Sequence, residues 1–305
     1  MHPLTRPPRF FGSLAGSAVF MAVSASAMLA LAGCGSVGSG ATGLSPALSP
    51  VLSSARIAEV VASPDRSDAD RSNDLRRKPE QMLAFIGIRP GMLALDISAG
   101  GGYTTELLAR AVGPAGRVYG QSAPRIARPP PAQPEGAAAP SPSPSIAAAL
   151  VPAGAAPRPV PTGLVARAQK PGLGHIVVVV QPFENPLPPE VPANTLDLAT
   201  LMFNYHDLGH MGVDRAQLNR AVFAALKPGG VYVIADHSGR PGTGISEAGT
   251  LHRIEESFLR AEVESAGFRW RASGDFLRNP ADPRDQNTPN PPQPKDEFVL
   301  KFVKP

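Results

Sequence analysis

The residues from 92 to 112 constrain this chain more than any other stretch. Positions 92–97 form an apolar run broken only by Asp96 near its end, which leads directly into Ser98-Ala99-Gly100-Gly101-Gly102. Residues 103–112 then set Leu107, Leu108 and Ala111 along one helical face. A strand that turns through glycines into a helix has a specific physical use. The glycines let the backbone turn tightly and approach a ligand, and the helix start directs unpaired N–H groups at it. Gly113-Pro114-Ala115-Gly116 stops the helix, and residues 117–121 read as a second short strand that completes a βαβ unit.

The remaining pattern extends this unit. Residues 78–85 read as a helix with Pro79 in its first turn. Residues 175–180 contain four consecutive valines, the mark of a strand buried on both faces. A strand at 195–203 follows, then an amphipathic helix at 214–226 with Asp214 as its cap, stopped by Lys227-Pro228-Gly229-Gly230. Strands at 231–235, 268–276 and 297–303 and a helix at 250–266 complete the series. Strands that alternate with helices in this way select an α/β, Rossmann-like doubly wound sheet.

Composition separates this body from its attachments. Residues 122–174 hold 13 prolines, many alanines and no aromatic residue, and so bury too little apolar surface to offset the entropy of ordering. They are expected to form a disordered insertion where a crossover helix belongs, with a short helix near Leu164 as a remnant. The insertion carries +4 and Arg6 with Arg9 another +2, against a net charge of +4 for the whole chain. The body is therefore slightly acidic, which argues against a nucleic-acid-binding face.

Arg6 and Arg9 precede an uncharged apolar run to Gly33, the layout of a secretory signal. Leu31-Ala32-Gly33-Cys34 resembles the bacterial lipobox, and Cys34 is the only cysteine. The resemblance implies a signal peptide at 1–33, a lipidated Cys34, a tether at 34–55 and a body on the periplasmic side of the envelope membrane. An uncleaved membrane anchor leaves Cys34 unexplained.

Asp96-Ile97-Ser98-Ala99-Gly100-Gly101-Gly102 resembles the acidic-x-Gly-x-Gly-x-Gly signature of class I S-adenosylmethionine-dependent methyltransferases. Leu226-Lys227-Pro228-Gly229-Gly230 with the strand after it, and the closing strand pair, are similar to the same superfamily, over about 56–121 and 175–305. The placement of Asn204 to Asp207 and of Asp236-His237 resembles a branch of exported bacterial methyltransferases of the lipoprotein type. The resemblance implies a seven-stranded sheet of order 3-2-1-4-5-7-6 with strand seven antiparallel, and S-adenosylmethionine as cofactor. It also implies a cofactor site at Asp96, Ser98, Gly100, Gly101, Gly102 and Gln121. Ser98 replaces the first glycine, which suits a negative φ. Gln121 stands where an acidic residue usually holds the ribose hydroxyls.

An activated methyl needs mainly an aligned acceptor and the exclusion of water. Candidate catalytic groups lie after the fourth and fifth strands: Tyr205 as a ring in the pocket, His206, Asp207 and His237, with histidine the natural base near neutral pH. His206 and His210 have the spacing of a His-Glu-x-x-His zinc helix, but Asp207 replaces its Glu and Gly209 interrupts it, so no metal site is expected. The implied partners are a small-molecule acceptor and, through Cys34, the membrane. The alternative is an envelope lipoprotein that keeps the fold and binds a ligand without chemistry.

Overall fold

The computed structural model describes residues 49–124, 162–289 and 293–305. The readings at 1–33 and at Cys34 lie outside the described residues, as do most of the tether and of the insertion. Among the described residues no helix is long and apolar enough to cross a membrane.

The elements run in the order α1 (Ser54–Val61), α2 (Asp68–Arg77), α3 (Pro79–Ile86), β1 (Leu93–Ile97), α4 (Tyr103–Val112), β2 (Arg117–Ser122), α5 (Thr162–Ala168) and β3 (Ile176–Val180). There follow β4 (Leu196–Met202), α6 (Tyr205–His210), α7 (Arg215–Ala225), β5 (Leu226–His237), α8 (Glu256–Ser265), β6 (Arg269–Gly274) and β7 (Glu297–Val303). The strands form one seven-stranded sheet in the order β3-β2-β1-β4-β5-β7-β6. The pairs from β3 to β5 are parallel, and β7 runs antiparallel to both β5 and β6. This is the α/β order expected from the sequence.

Alternation along the strands supplies two cores. Ala94, Val118, Leu198 and Val233 face one side and pack with α1, α3, α4 and Leu164 of α5. Leu95, Tyr119, Ala199 and Ile234 face the other and pack with α6, α7 and α8. Side chains two apart point the same way on a strand, so one sequence serves both layers.

Several boundaries differ from the sequence reading. The ordered body begins before residue 56, because Leu52 N donates to Ile88 O (3.0 Å) and Ser53 Oγ caps α1 by accepting from Arg56 N. Polar α2, capped by Ser67, was not anticipated, since only one of its side chains is buried and it carries no apolar stripe. Described elements reach into 122–174 from both ends. Ser122 closes β2, and α5 puts Leu164 in the core. Two glycines admit that leucine: a Cβ at Gly102 would lie 2.8 Å, and one at Gly120 2.9 Å, from Leu164 side-chain carbons. The helix read at 250–266 starts only at Glu256.

Candidate functional site

At the carboxyl edge of β1 the chain turns into α4 around a cavity of about 450 Å³. Ser98, Ala99, Gly100 and Gly101 form its floor, and Asp96, Phe203 and Asn204 form its sheet side. Asp70 and Arg77 of α2 and Arg167 of α5 close the other side. The volume lies within the range of small-molecule sites. A second cavity of about 450 Å³, beside Ser54, Asp74 and Lys78, lies away from the glycine turn and has no part of it in its lining.

The turn is braced from below. Asp96 is buried and accepts from Thr105 Oγ1 (2.6 Å) and Thr200 Oγ1 (2.9 Å). Ser98 N donates to Gln121 Oε1 (3.0 Å), Ala99 N to Gln121 O (2.7 Å), and Gln121 Nε2 to Gln181 O (2.7 Å). Gln121 is therefore fully buried with both amide atoms engaged, and it does not line the cavity. That corrects the expectation that it hydrogen-bonds a ribose. It ties the turn to β2 and β3 instead. Ser98 has φ of 59° rather than the negative angle expected, which explains why glycine suits this position.

From above, Arg167 clasps the turn. Its Nε donates to Gly101 O (2.7 Å), and its guanidinium forks onto Asp70 (2.7 Å to each oxygen) and also meets Glu106. Arg77 differs from it. It lies 4.7 Å from the Phe203 ring centroid and 5.3 Å from that of Tyr103, and among the described residues it makes no hydrogen bond or ion pair. It is a cavity-lining cation without a polar partner among the described residues. Arg167 was missed because its segment reads as proline- and alanine-rich insertion.

Burial raises the Asp96 carboxyl to about 6, against the opposing pull of Thr105 and Thr200. The folded state therefore holds this proton to higher pH than the unfolded chain does. The group lowers stability as pH rises from about 4 through 6, by about 3 kcal/mol in all. Asp96→Asn removes the titration. Urea unfolding at pH 4, 5.5 and 7 should show the variant gaining on the wild type by up to that amount, and a difference that stays constant with pH would contradict the assignment.

The catalytic candidates separate. Tyr205 is buried in the core, where its hydroxyl takes part in hydrogen bonds with Glu262 Oε2 (3.0 Å) and Asn219 Nδ2 (2.8 Å). It is no ring of the pocket, because its position on the inner face of α6 turns it under the sheet. His206 is also buried, its Nδ1 2.6 Å from Asp236 Oδ1 and its Nε2 3.1 Å from Asp207 Oδ1. Burial lowers its pKa, but the two carboxylates outweigh this and raise it to about 9. At neutral pH it is a held imidazolium, not the ready base expected. His237 has its pKa lowered by burial, and its Nδ1 lies 3.0 Å from Glu297 Oε1 but out of line for a hydrogen bond.

Asn204 joins the two regions. It lines the cavity, its Oδ1 meets Ser98 Oγ, and its Nδ2 donates to Asp207 Oδ2. His252, which the sequence reading did not single out, reaches Asp207 Oδ1 at 3.0 Å from a turn before α8. No motif spacing marks it.

The strand order decides the architecture. The chain has a Rossmann-like α/β fold with a seven-stranded sheet and an antiparallel β7. No family model matches the sequence, and no curated protein does. Among solved structures, a SAM dependent methyltransferase from Aquifex aeolicus is 19% identical, covering 83% of this chain and 100% of its own, with a TM-score of 0.48. An arsenic (III) S-adenosylmethionine methyltransferase from Chlamydomonas reinhardtii is 14% identical over 82% of this chain and 73% of its own, at 0.46. The YcgJ protein from Bacillus subtilis is 15% identical over 73% and 94%, at 0.43. These likenesses are faint, and the fold rests on the sheet order and register.

Proposed function

We propose that this chain transfers a methyl group from S-adenosylmethionine to a small-molecule acceptor. The supporting observation is the cavity over the glycine turn with the unpaired Arg77 guanidinium in it. The residues fit the amino-acid end of the cofactor best. Arg77 would take its carboxylate, and Gly101, where an added Cβ meets nothing within 4 Å, would let the chain lie against the turn. The ribose end fits less well, because Gln121 is occupied, so affinity should be modest. The cofactor supplies a methyl already activated on a sulfonium. The protein's part is then to position an acceptor and keep water out, with Asp70 and Arg167 closing the cavity above and Phe203 and Asn204 marking its edge.

We further propose that the body is displayed outside the cytoplasm on a lipidated Cys34, as in exported lipoproteins of this type. Mass spectrometry of the membrane fraction tests this, since the lipid should be lost in Cys34→Ser.

Calorimetric titration of S-adenosylmethionine tests the cofactor reading. Wild type should bind, and Gly101→Leu, which fills the turn without a positive φ, should weaken binding at least tenfold while keeping its melting temperature. No binding at millimolar cofactor, or equal binding in both, would remove the proposal.

A further inference from the structure

We infer that His206, Asp207 and His252 form a site for a divalent transition-metal ion, with Zn²⁺ the best match. This inference does not depend on the methyl-transfer reading.

Three imidazoles converge on one carboxylate oxygen. Asp207 Oδ1 is 3.1 Å from His206 Nε2, 3.0 Å from His252 Nδ1 and 3.9 Å from His210 Nδ1. The donor atoms of His206, Asp207 and His252 all lie within 4.8 Å of one another. A tetrahedral zinc site with bonds of about 2.1 Å has donor separations of about 3.4 Å. The two edges to Asp207 Oδ1, 3.1 and 3.0 Å, need widen only slightly, and the His206–His252 edge, within 4.8 Å, closes to match as an ion is admitted. His210, one helical turn after His206 and exposed, stands 3.9 Å from the same oxygen but outside the three-residue group, so a water would complete the four.

The surroundings orient these donors independently. The second His206 nitrogen faces buried Asp236, which also accepts from His206 N (2.8 Å) and His237 N (2.8 Å). A carboxylate behind a histidine is the arrangement that fixes the ring orientation of metal ligands and raises their basicity. The ion takes the place of the proton on His206 Nε2, and that proton is released on binding. The other Asp207 oxygen is held by Asn204, leaving Oδ1 for the histidines. His252 has φ of 51°, a left-handed conformation that a non-glycine residue adopts only when its neighbours impose it. They do so here. Arg253 beside it is buried on Asp282 and Ser238 O, and Ile254 N donates to His237 O (3.0 Å). Imidazole and a single carboxylate favour zinc and its neighbours over calcium or magnesium, which take all-oxygen shells.

The test uses untagged, chelator-treated protein titrated with Zn²⁺, and with Co²⁺ for its visible spectrum. One equivalent should bind with a micromolar or tighter dissociation constant, and the cobalt form should show four-coordinate bands. His252→Ala, at a partly exposed position, should weaken binding at least tenfold without lowering the melting temperature. Asp236→Asn should weaken it roughly 10- to 100-fold as an orienting residue. His175→Ala, whose ring faces Ala109 O away from the cluster, should change nothing. Failure to bind a stoichiometric ion, or binding equally strong in His252→Ala and Asp236→Asn, would overturn the inference. The cluster would then be a set of ion pairs only.

Discussion

Replacing Arg77 by methionine should weaken S-adenosylmethionine binding roughly 10- to 100-fold while leaving the fold as stable or slightly more so. The two effects have opposite signs because Arg77 is half-buried between the Phe203 and Tyr103 rings and has no ionic partner among the described residues. Burial and the neighbouring Arg76 depress its pKa, the mark of a cation held at a cost. Methionine keeps the bulk and removes the buried charge. What is lost is a charge-assisted bond to the ligand carboxylate, which contributes about 1.5–3 kcal/mol in such settings. A ligand without the carboxylate gives the control. Binding of 5′-methylthioadenosine should be indifferent to Arg77→Met. If both ligands weaken equally, or if unfolding by urea shows a large loss of stability, Arg77 is structural and the cofactor lies otherwise.

Arg253→Ala should destabilise the protein by about 3–5 kcal/mol, a drop in melting temperature on the order of 10 °C. Arg253 is fully buried and bonds Asp282 (2.9 and 3.2 Å), Ser238 O (3.0 Å) and Gln286 O (2.9 Å). Its removal leaves the buried Asp282 carboxylate without its guanidinium, and that uncompensated charge is the larger part of the loss. Gln286 O loses both its Arg253 donors (3.1 and 2.9 Å), so the segment that returns the chain to β7 loses an anchor too. The double variant Arg253→Met with Asp282→Leu should recover much of the loss. Thermal melts of the singles and the double decide it, because additive losses would mean that the pair is not coupled.

The fold was legible because its signals are local. Four valines in β3, the glycine turn after β1 and the Lys227-Pro228-Gly229-Gly230 stop each constrain the backbone within a few residues, and the sheet order follows from stacking such units. Polar α2 carried no such signal, and neither did α5, whose single buried leucine has meaning only beside Gly102 and Gly120. The site was legible in part. The turn lies where the sequence puts it, but whether Gln121 offers its amide to a ligand or to Ser98 and Gln181 depends on contacts 23 and 60 residues away. His252 was invisible for the same reason. Its partner Asp207 is 45 residues distant, and only the packing of the turn before α8 brings them together. The polar stretch at 278–296 reads as a loose loop, yet Arg278 and Arg284 both pair with buried Asp296.

Ser98 and Phe203 end β1 and β4 in left-handed backbone, at φ of 59° and 60°. Such angles disfavour any side chain, and an aromatic one most of all. Glycine at either position would relax the chain. Selection for heat tolerance alone should therefore drift toward glycine there, whereas selection that retains serine and phenylalanine must be acting on what those two side chains touch. Heat-selected libraries randomised at these codons would separate the two pressures directly.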